Sequence, residues 1–247
     1  MHRLSTATTG PQKAISGCRT WRVGDGDVRS DYDVVAACEM DPGFNEHVTG
    51  VPDVERVFVV LSGQLAVGTS SGEHQARARS VVFLPGGVAC RLSVTEPTRM
   101  LWIASTAPAG PPPADAPSDL VLTSVDDSEG VAMTDPAMGI FNLVTRQIVT
   151  SDTVAARAVL VGHSSFASNQ GSHELHRHVR DEFLYVISGT AHALSEGGET
   201  ALKAGDLMYI PAGEWHGLRA VGEEPAEHIF GYLGAASFAE AGYTLHG

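Results

Sequence analysis

The sequence predicts an all-β protein made of two tandem halves. Three observations support this: short β-rich runs bounded by Gly, Pro, Asp and Ser, a Pro- and Ala-rich segment near the middle, and a pattern repeated on either side of it. With 247 residues, 43% of them hydrophobic and 18% charged, the chain has material for one large or two ordinary globular domains. We therefore expect two β-domains in series.

The middle segment, TAPAGPPPADAPS at 106–118, separates the two halves. It is too rich in Pro and Ala for a strand or an amphipathic helix, so it reads as a linker. The predicted boundaries are a first domain at 1–106, a linker at 107–118 and a second domain at 119–247.

Alternating and continuous apolar runs mark the candidate strands of each half. In the first half these are Tyr32–Glu39, Val57–Val67, Val81–Leu84, Ala89–Val94 and Met100–Ser105. In the second half they are Phe141–Val149, Val154–His163, Glu182–Leu194, Leu207–Ile210, His216–Val221 and His228–Leu233.

The two halves also contain similar sequence segments. VFVVLSG at 57–63 corresponds to FLYVISG at 183–189, and VFLPGG at 82–87 corresponds to MYIPAG at 208–213. The same spacing of 22 residues separates Gly63 from Pro85 and Gly189 from Pro211. An internal duplication is the simplest explanation.

Charge and cysteine content restrict the partners and the compartment. The net charge of −13 repels phosphate backbones and anionic lipid surfaces, so we expect neither nucleic acid nor membrane as a partner. There is no apolar run of membrane-spanning length and no secretory leader at the start, which predicts a cytoplasmic protein. Cys18, Cys38 and Cys90 are widely spaced and odd in number, so buried thiols are expected.

A metal-ligand pattern lies in the second half. His176, His178 and Glu182 are separated by even numbers of residues, so on one continuous strand their side chains would point to the same face. A turn marked by Gly and Pro then delivers His216. Imidazole and carboxylate ligands suit a divalent transition metal, and the ligand types leave Fe, Mn, Ni, Cu, Co and Zn open.

These residues resemble the two motifs of the cupin superfamily. The first motif is met by Gly171, His176, His178, Glu182 and Gly189, with an opening spacer one residue shorter than usual. The second motif is met by Gly205, Pro211, Gly213 and His216. The resemblance implies a double-stranded β-helix, or jelly roll, in each half. It also implies that His176, His178, Glu182 and His216 bind one metal ion.

The first half resembles a cupin domain without its metal. Alignment on the repeated glycines places Gly50, Pro52, Arg56 and Cys90 at the four ligand positions, and these do not make a transition-metal site. Glu55 is one residue out of phase, so it should face the opposite side of its strand. The chemistry is therefore expected in the second half alone.

The surroundings of the site can be read from the same alternation. Leu184 and Val186 should line the cavity with Glu182. Arg180 either reaches inward toward an acidic substrate or, because the motif bends at this place, faces solvent. His173, three residues before His176, should face away from the ligands. An apolar lining predicts a small organic substrate.

Three functions remain open from the sequence. The favoured one is an oxygenase, because cupins with three His and one Glu ligand resemble quercetin-type dioxygenases. The second is a hydrolase or isomerase that uses Mn or Zn. Its model is the ureidoglycine aminohydrolase type, which has the same layout of a metal-free and a metal-bearing cupin but a Gln in place of the last His. The third is a non-enzymatic protein that binds a small molecule. Pairing through sheet edges makes a homodimer a further expectation.

Overall fold

A computed structural model of the chain describes residues 2–5, 13–15, 17–23 and 33–247, and it confirms an all-β fold of two jelly-roll barrels. The first twelve strands precede or build the first barrel. They are β1 (His2–Ser5), β2 (Lys13–Ile15), β3 (Cys18–Val23), β4 (Val34–Met40), β5 (Asn45–Val48), β6 (Val54–Ser62), β7 (Gln64–Thr69), β8 (Gly72–Arg77), β9 (Ser80–Leu84), β10 (Cys90–Ser93), β11 (Thr98–Thr106) and β12 (Val121–Ser124).

The remaining strands belong to the second barrel, which also carries two one-turn helices, α1 (Ser151–Val154) and α2 (Phe238–Ala241). None of the helices among the described residues is long and apolar enough to cross a membrane. The strands are β13 (Val131–Asp135), β14 (Ile140–Val149), β15 (Val159–Phe166), β16 (Ser172–Arg177), β17 (Asp181–Ser188), β18 (Thr190–Ser195), β19 (Gly198–Lys203), β20 (Asp206–Ile210), β21 (His216–Val221), β22 (Ala226–Leu233) and β23 (Thr244–Leu245).

The predicted strands are found with shifted ends. The expected start at Tyr32 lies outside the described residues, and the strand is seen from Val34. The two longest predictions each divide at a glycine, Gly63 or Gly189, because both glycines adopt a positive φ and turn the chain into a hairpin. A Cβ at either position would lie 2.3–2.4 Å from a proline carbonyl oxygen, so both turns require glycine in the same way.

The first barrel is a seven-stranded sheet facing a four-stranded one. The larger sheet has the order β12-β9-β6-β11-β4-β3-β2, and the smaller has the order β5-β10-β7-β8. Large apolar side chains from both sheets fill the space between them, including Phe58, Leu65, Leu92 and Met100. The interior of this barrel is therefore a packed core.

The second barrel repeats this plan, with β14 joining its two sheets. The order β1-β20-β17-β22-β15-β14-β16-β21-β18-β19 runs through both sheets, and its strands pair as their counterparts in the first barrel do. For example, Glu182 lies opposite Ile210 as Arg56 lies opposite Leu84. The duplication seen in the sequence thus extends to the strand register.

Equivalent faces of the two barrels pack against each other. Val57 and Val59 of β6 and Phe183 and Tyr185 of β17 belong to one apolar cluster that spans both halves. Glu55 also joins the barrels, because its buried carboxylate accepts hydrogen bonds from the backbone N–H groups of Arg157 and Ala158 at 2.8–3.0 Å. The expectation that Glu55 faces away from its own barrel interior is confirmed.

The barrels also exchange edge strands. β1, which precedes the first barrel, pairs with β20 of the second, and β12, which precedes the second barrel, pairs with β9 of the first. Because β9 and β20 occupy equivalent edges, each barrel covers the same edge of the other. The boundaries 1–106, 107–118 and 119–247 stay predictions, and this pairing crosses them in both directions.

Candidate metal centre

Four buried side chains converge at one end of the second barrel. His176, His178, Glu182 and His216 each offer one ligand atom, and these atoms all lie within 4.8 Å of one another. Each residue is at most 6% exposed. No other cluster of this kind occurs among the residues that the structure describes. The donor set fits a divalent transition metal, because three imidazoles and a carboxylate can share one ion and leave positions open for a substrate.

The four candidate ligands lie on three strands and one turn. The expectation of one continuous strand was wrong: β16 ends at Arg177, β17 begins at Asp181, and His178 lies in the turn between them. The turn is held by a hydrogen bond from the Gly213 N–H to the His178 carbonyl at 2.8 Å. His216 begins β21 and pairs directly with His176. Sheet pairing, not strand alternation alone, therefore brings the four together.

Backbone carbonyls fix the orientation of all three rings. The Nδ1–H groups of His176, His178 and His216 donate to the carbonyl oxygens of Glu174, Gly242 and Glu214 at 2.7, 2.5 and 2.8 Å. A carbonyl can only accept, so each Nδ1 carries a proton and each Nε2 is left for the centre of the cluster. Hydrogen bonds of this kind are what orients histidine ligands in metal proteins.

Glu182 and His216 form a buried charged pair. His216 Nε2 donates to Glu182 Oε2 at 2.7 Å. Burial opposes ionisation of both groups, but the contact between them raises the pKa of His216 and lowers the pKa of Glu182. The carboxylate is thus ionised, and the proton on His216 Nε2 occupies a place that a divalent ion would take.

His173 lies beside the ligands, and the expectation that it faces away was wrong. The pairing of β16 with β21 shifts by one residue between His173 and His176, which is a β-bulge. The bulge turns both rings to the same side, where they stack with their centroids 3.7 Å apart. Burial lowers the pKa of His173 to about 4, so its ring is neutral. It lies 3.2 Å from the Tyr243 hydroxyl, which itself donates to the Met138 carbonyl.

Two tyrosines that the sequence analysis missed complete the surroundings. The Tyr232 hydroxyl lies 3.2 Å from His178 Nε2, and burial raises the pKa of Tyr232 well above its usual value. Tyr243 comes from the segment after α2, which returns along β16 and closes over the cluster. The alternation of β22 could have indicated Tyr232, because it is in phase with the cavity. Nothing in the sequence indicated Tyr243.

The cluster lies in a cavity of about 1000 Å³ lined mainly by apolar side chains. Leu184 lines it as expected, whereas Val186 is buried in the barrel core and does not. Of the two alternatives for Arg180, the solvent-facing one is found and the inward one is not: the residue is exposed and lies beside Gly234, because the chain bends between β16 and β17. Further apolar lining comes from Ile140, Leu143, Phe166, Leu218 and Phe230.

At the equivalent place the first barrel has Arg56 and Cys90, both buried. Burial raises the pKa of the Cys90 thiol to about 11, so it is not a thiolate. A thiol beside a guanidinium is a poor setting for a cation. The two barrels thus differ at every position that the cupin motifs assign to a ligand.

Comparison with known proteins agrees with this fold. Residues 162–232 match the family model described as the cupin domain, so the second barrel is a cupin domain. The chain is also 26% identical to the tetracenomycin polyketide synthase protein TcmJ from Streptomyces glaucescens over 100 residues, which cover 40% of this chain and 67% of that protein.

Solved structures share the whole two-barrel arrangement. The protein Ylba from E. coli superimposes with a TM-score of 0.74 at 14% identity, covering 94% of this chain and 89% of the other. The oxalate decarboxylase from Lactobacillus farciminis, in a formate complex, gives 0.70 at 13% identity, covering 98% and 88%. At these identities the likeness establishes the fold, and the resemblance to the cupin superfamily is confirmed.

Proposed function

We propose that the protein is a metal-dependent enzyme that acts on a small organic metabolite, and that its reaction is an oxygenation. One observation carries the proposal: three oriented imidazoles and an ionised carboxylate converge at the end of a large apolar cavity. A divalent metal held there would polarise a substrate oxygen and, if redox-active, exchange electrons with O₂.

The cavity indicates the size of the substrate. A volume of about 1000 Å³ is at the upper end of sites for drug-sized ligands. A dicarboxylate of a few atoms would leave most of this space unfilled, whereas a phenol or enol with fused rings would contact its walls. The similarity to a polyketide synthase protein is in line with a substrate of that size.

The chain's own residues would bind, orient and shield this substrate. Phe166 and Phe230 offer flat apolar surfaces, and the closing segment with Tyr243 limits access of water to the ligands. Tyr232 and His173, neutral and next to the cluster, can each hold a proton near a bound oxygen.

The same neutral groups favour a second candidate, a hydrolase or isomerase that uses Mn or Zn. The His173 and Tyr243 pair could move a proton on a substrate without any change of oxidation state. This candidate keeps the same ligands and cavity, and differs in needing no O₂.

The experiment is O₂ uptake by protein loaded separately with Fe, Mn, Ni, Cu, Co or Zn, using a panel of multi-ring phenols and 1,3-diketones. We expect uptake matched to product with a redox-active metal, none with Zn, and none in His176→Ala. His192→Ala, which removes a half-exposed histidine paired with Glu199, is the matched control. Turnover by the Zn form without O₂ would favour the second candidate, and binding without turnover for every metal would favour a non-enzymatic binding protein.

The partners are part of the proposal. We expect a small-molecule substrate and, from the net charge of −13, neither nucleic acid nor an anionic membrane surface. A homodimer in the cytoplasm stays a prediction, which sedimentation and cell fractionation would check.

A further inference from the structure

The cavity has a second polar region away from the ligand cluster. Thr145, Ser164 and His228 lie side by side on the adjacent strands β14, β15 and β22, with Ser164 paired to both of the others. All three line the cavity and are at most 8% exposed. The Ser164 hydroxyl donates to Thr145 Oγ1 at 3.2 Å. We call these three residues the polar row.

His228 has hydrogen-bonding capacity that the described part of the protein does not use. Its ring stacks on the Phe166 ring with the two centroids 5.3 Å apart, and its buried Nδ1 has no hydrogen-bond partner among the described residues. Burial lowers the pKa of His228 to about 3, so the neutral ring offers one N–H donor and one acceptor. A buried polar group without a hydrogen-bond partner is unfavourable, and a bound ligand that supplies the bond removes this cost.

The first barrel lacks two of the three residues of the polar row: Thr20 stands where Thr145 stands, but Cys38 and Met100 replace Ser164 and His228. In the first barrel Met100 pairs with Val60 and Cys38 on its two sides. In the second barrel His228 pairs in the same way with Val186 and Ser164, so Met100 is equivalent to His228 and Cys38 to Ser164. Met100 and Cys38 belong to the packed apolar core. Ser164 and His228 therefore accompany the cavity and are not required by the barrel fold.

An apolar belt separates the polar row from the ligand cluster. Along β17, Glu182 is four residues from Val186, the partner of His228, which corresponds to about 13 Å. Leu184 and its partner Phe230 lie between them. A Cβ at Gly162 would be 2.4 Å from the Phe230 ring, so the glycine is what lets this ring lie across β15.

We propose that the cavity selects an elongated, largely apolar substrate that has a metal-binding oxygen at one end and a second hydrogen-bonding group about 10 Å away. His228 binds the second group, supported by the hydroxyls of Ser164 and Thr145. The proposal rests on the proposed metal-dependent function and specifies its substrate class. His228 acts as a specificity residue in this account, not as a ligand of the metal.

Two hydroxamate probes test this length and polarity. In 2-naphthohydroxamic acid the chelating group is followed only by an apolar ring system, and the 6-hydroxy derivative adds one hydroxyl at the far end. Calorimetric titration of Zn-loaded protein should show the hydroxylated probe binding about tenfold more tightly. In His228→Met, which introduces the first barrel's residue, we expect this preference to fall to about onefold while the plain probe binds as before.

The controls separate the possible failures. His228→Gln retains a donor and an acceptor and should keep most of the preference, and His192→Met should leave it unchanged. Equal binding of both probes to the unaltered protein, or a preference that survives in His228→Met, would overturn the proposal. Failure of both probes to bind, or undiminished binding to His176→Ala, would count against the metal site itself, and this inference would fall with it.

A measurement on the unaltered protein covers the case in which His228→Met does not fold. With ¹⁵N-labelled histidine and Zn, the hydroxylated probe should shift the ring-nitrogen resonances of His228, and the plain probe should not. Identical spectra with the two probes would contradict a hydrogen bond from His228.

Discussion

The two barrels share one framework and differ in what it encloses. Equivalent residues of β6 and β17 face the same interface, and equivalent edges receive the exchanged strands. In the interior, however, Phe58 fills the first barrel where Leu184 borders the cavity of the second, and Arg56 stands where Glu182 stands. The comparison teaches that the outward faces of these strands keep the same packing in both barrels, whereas the inward positions form a core in one barrel and a site in the other.

The largest expected difference is in metal binding. His216→Ala removes one of four ligands and should weaken the affinity for Zn at least about 100-fold, whereas Cys90→Ala, at the equivalent position, should leave it unchanged. Equilibrium titration against a chelating indicator measures both. If Cys90→Ala, or the gentler Cys90→Ser, lowered the metal content, the first barrel would not be metal-free.

The next difference is in stability. Phe58→Ala should lower the free energy of unfolding by about 3–5 kcal/mol, because it opens a void in a packed core. The Phe58 ring packs there against Trp102, with the two ring centroids 4.9 Å apart. Leu184→Ala should cost less than about 2 kcal/mol, since its side chain already borders a cavity. Urea unfolding of both variants decides the matter, and equal costs would show that the second barrel is packed like the first.

A smaller contrast concerns Glu55 and its counterpart Asp181. Glu55→Ala leaves two backbone N–H groups of the other barrel without their acceptor, and we expect a loss of about 1.5–3 kcal/mol. Asp181 accepts one bond, from the Ala212 N–H within its own barrel, and is less buried, so Asp181→Ala should cost about 0.5–1.5 kcal/mol. Thermal and urea unfolding provide the test; the reverse order would mean that the contact between barrels contributes little.

The sequence was sufficient to place the four converging residues and most strands. The repeated glycines set the register of both halves, and the spacing of His176, His178 and Glu182 placed them close together even though they do not share a strand. Such multi-point motifs succeed because strand pairing and turns fix them jointly.

What the sequence could not give depends on irregular backbone and distant pairing. The bulge that brings His173 beside His176 breaks the alternation on which the expectation rested. Tyr243 arrives through the pairing of β23 with β16, and the exchange of β1 and β12 joins segments far apart in the chain. None of these contacts has a local signal.

The central claim is that one metal ion is bound, in the second barrel only. Anomalous X-ray diffraction at the zinc edge, from crystals of Zn-loaded protein, locates the metal directly. We predict one peak per chain, about 2.0–2.2 Å from Nε2 of His176, His178 and His216 and from a carboxylate oxygen of Glu182. A peak beside Arg56 and Cys90, or no peak at the four-residue cluster, would contradict the account.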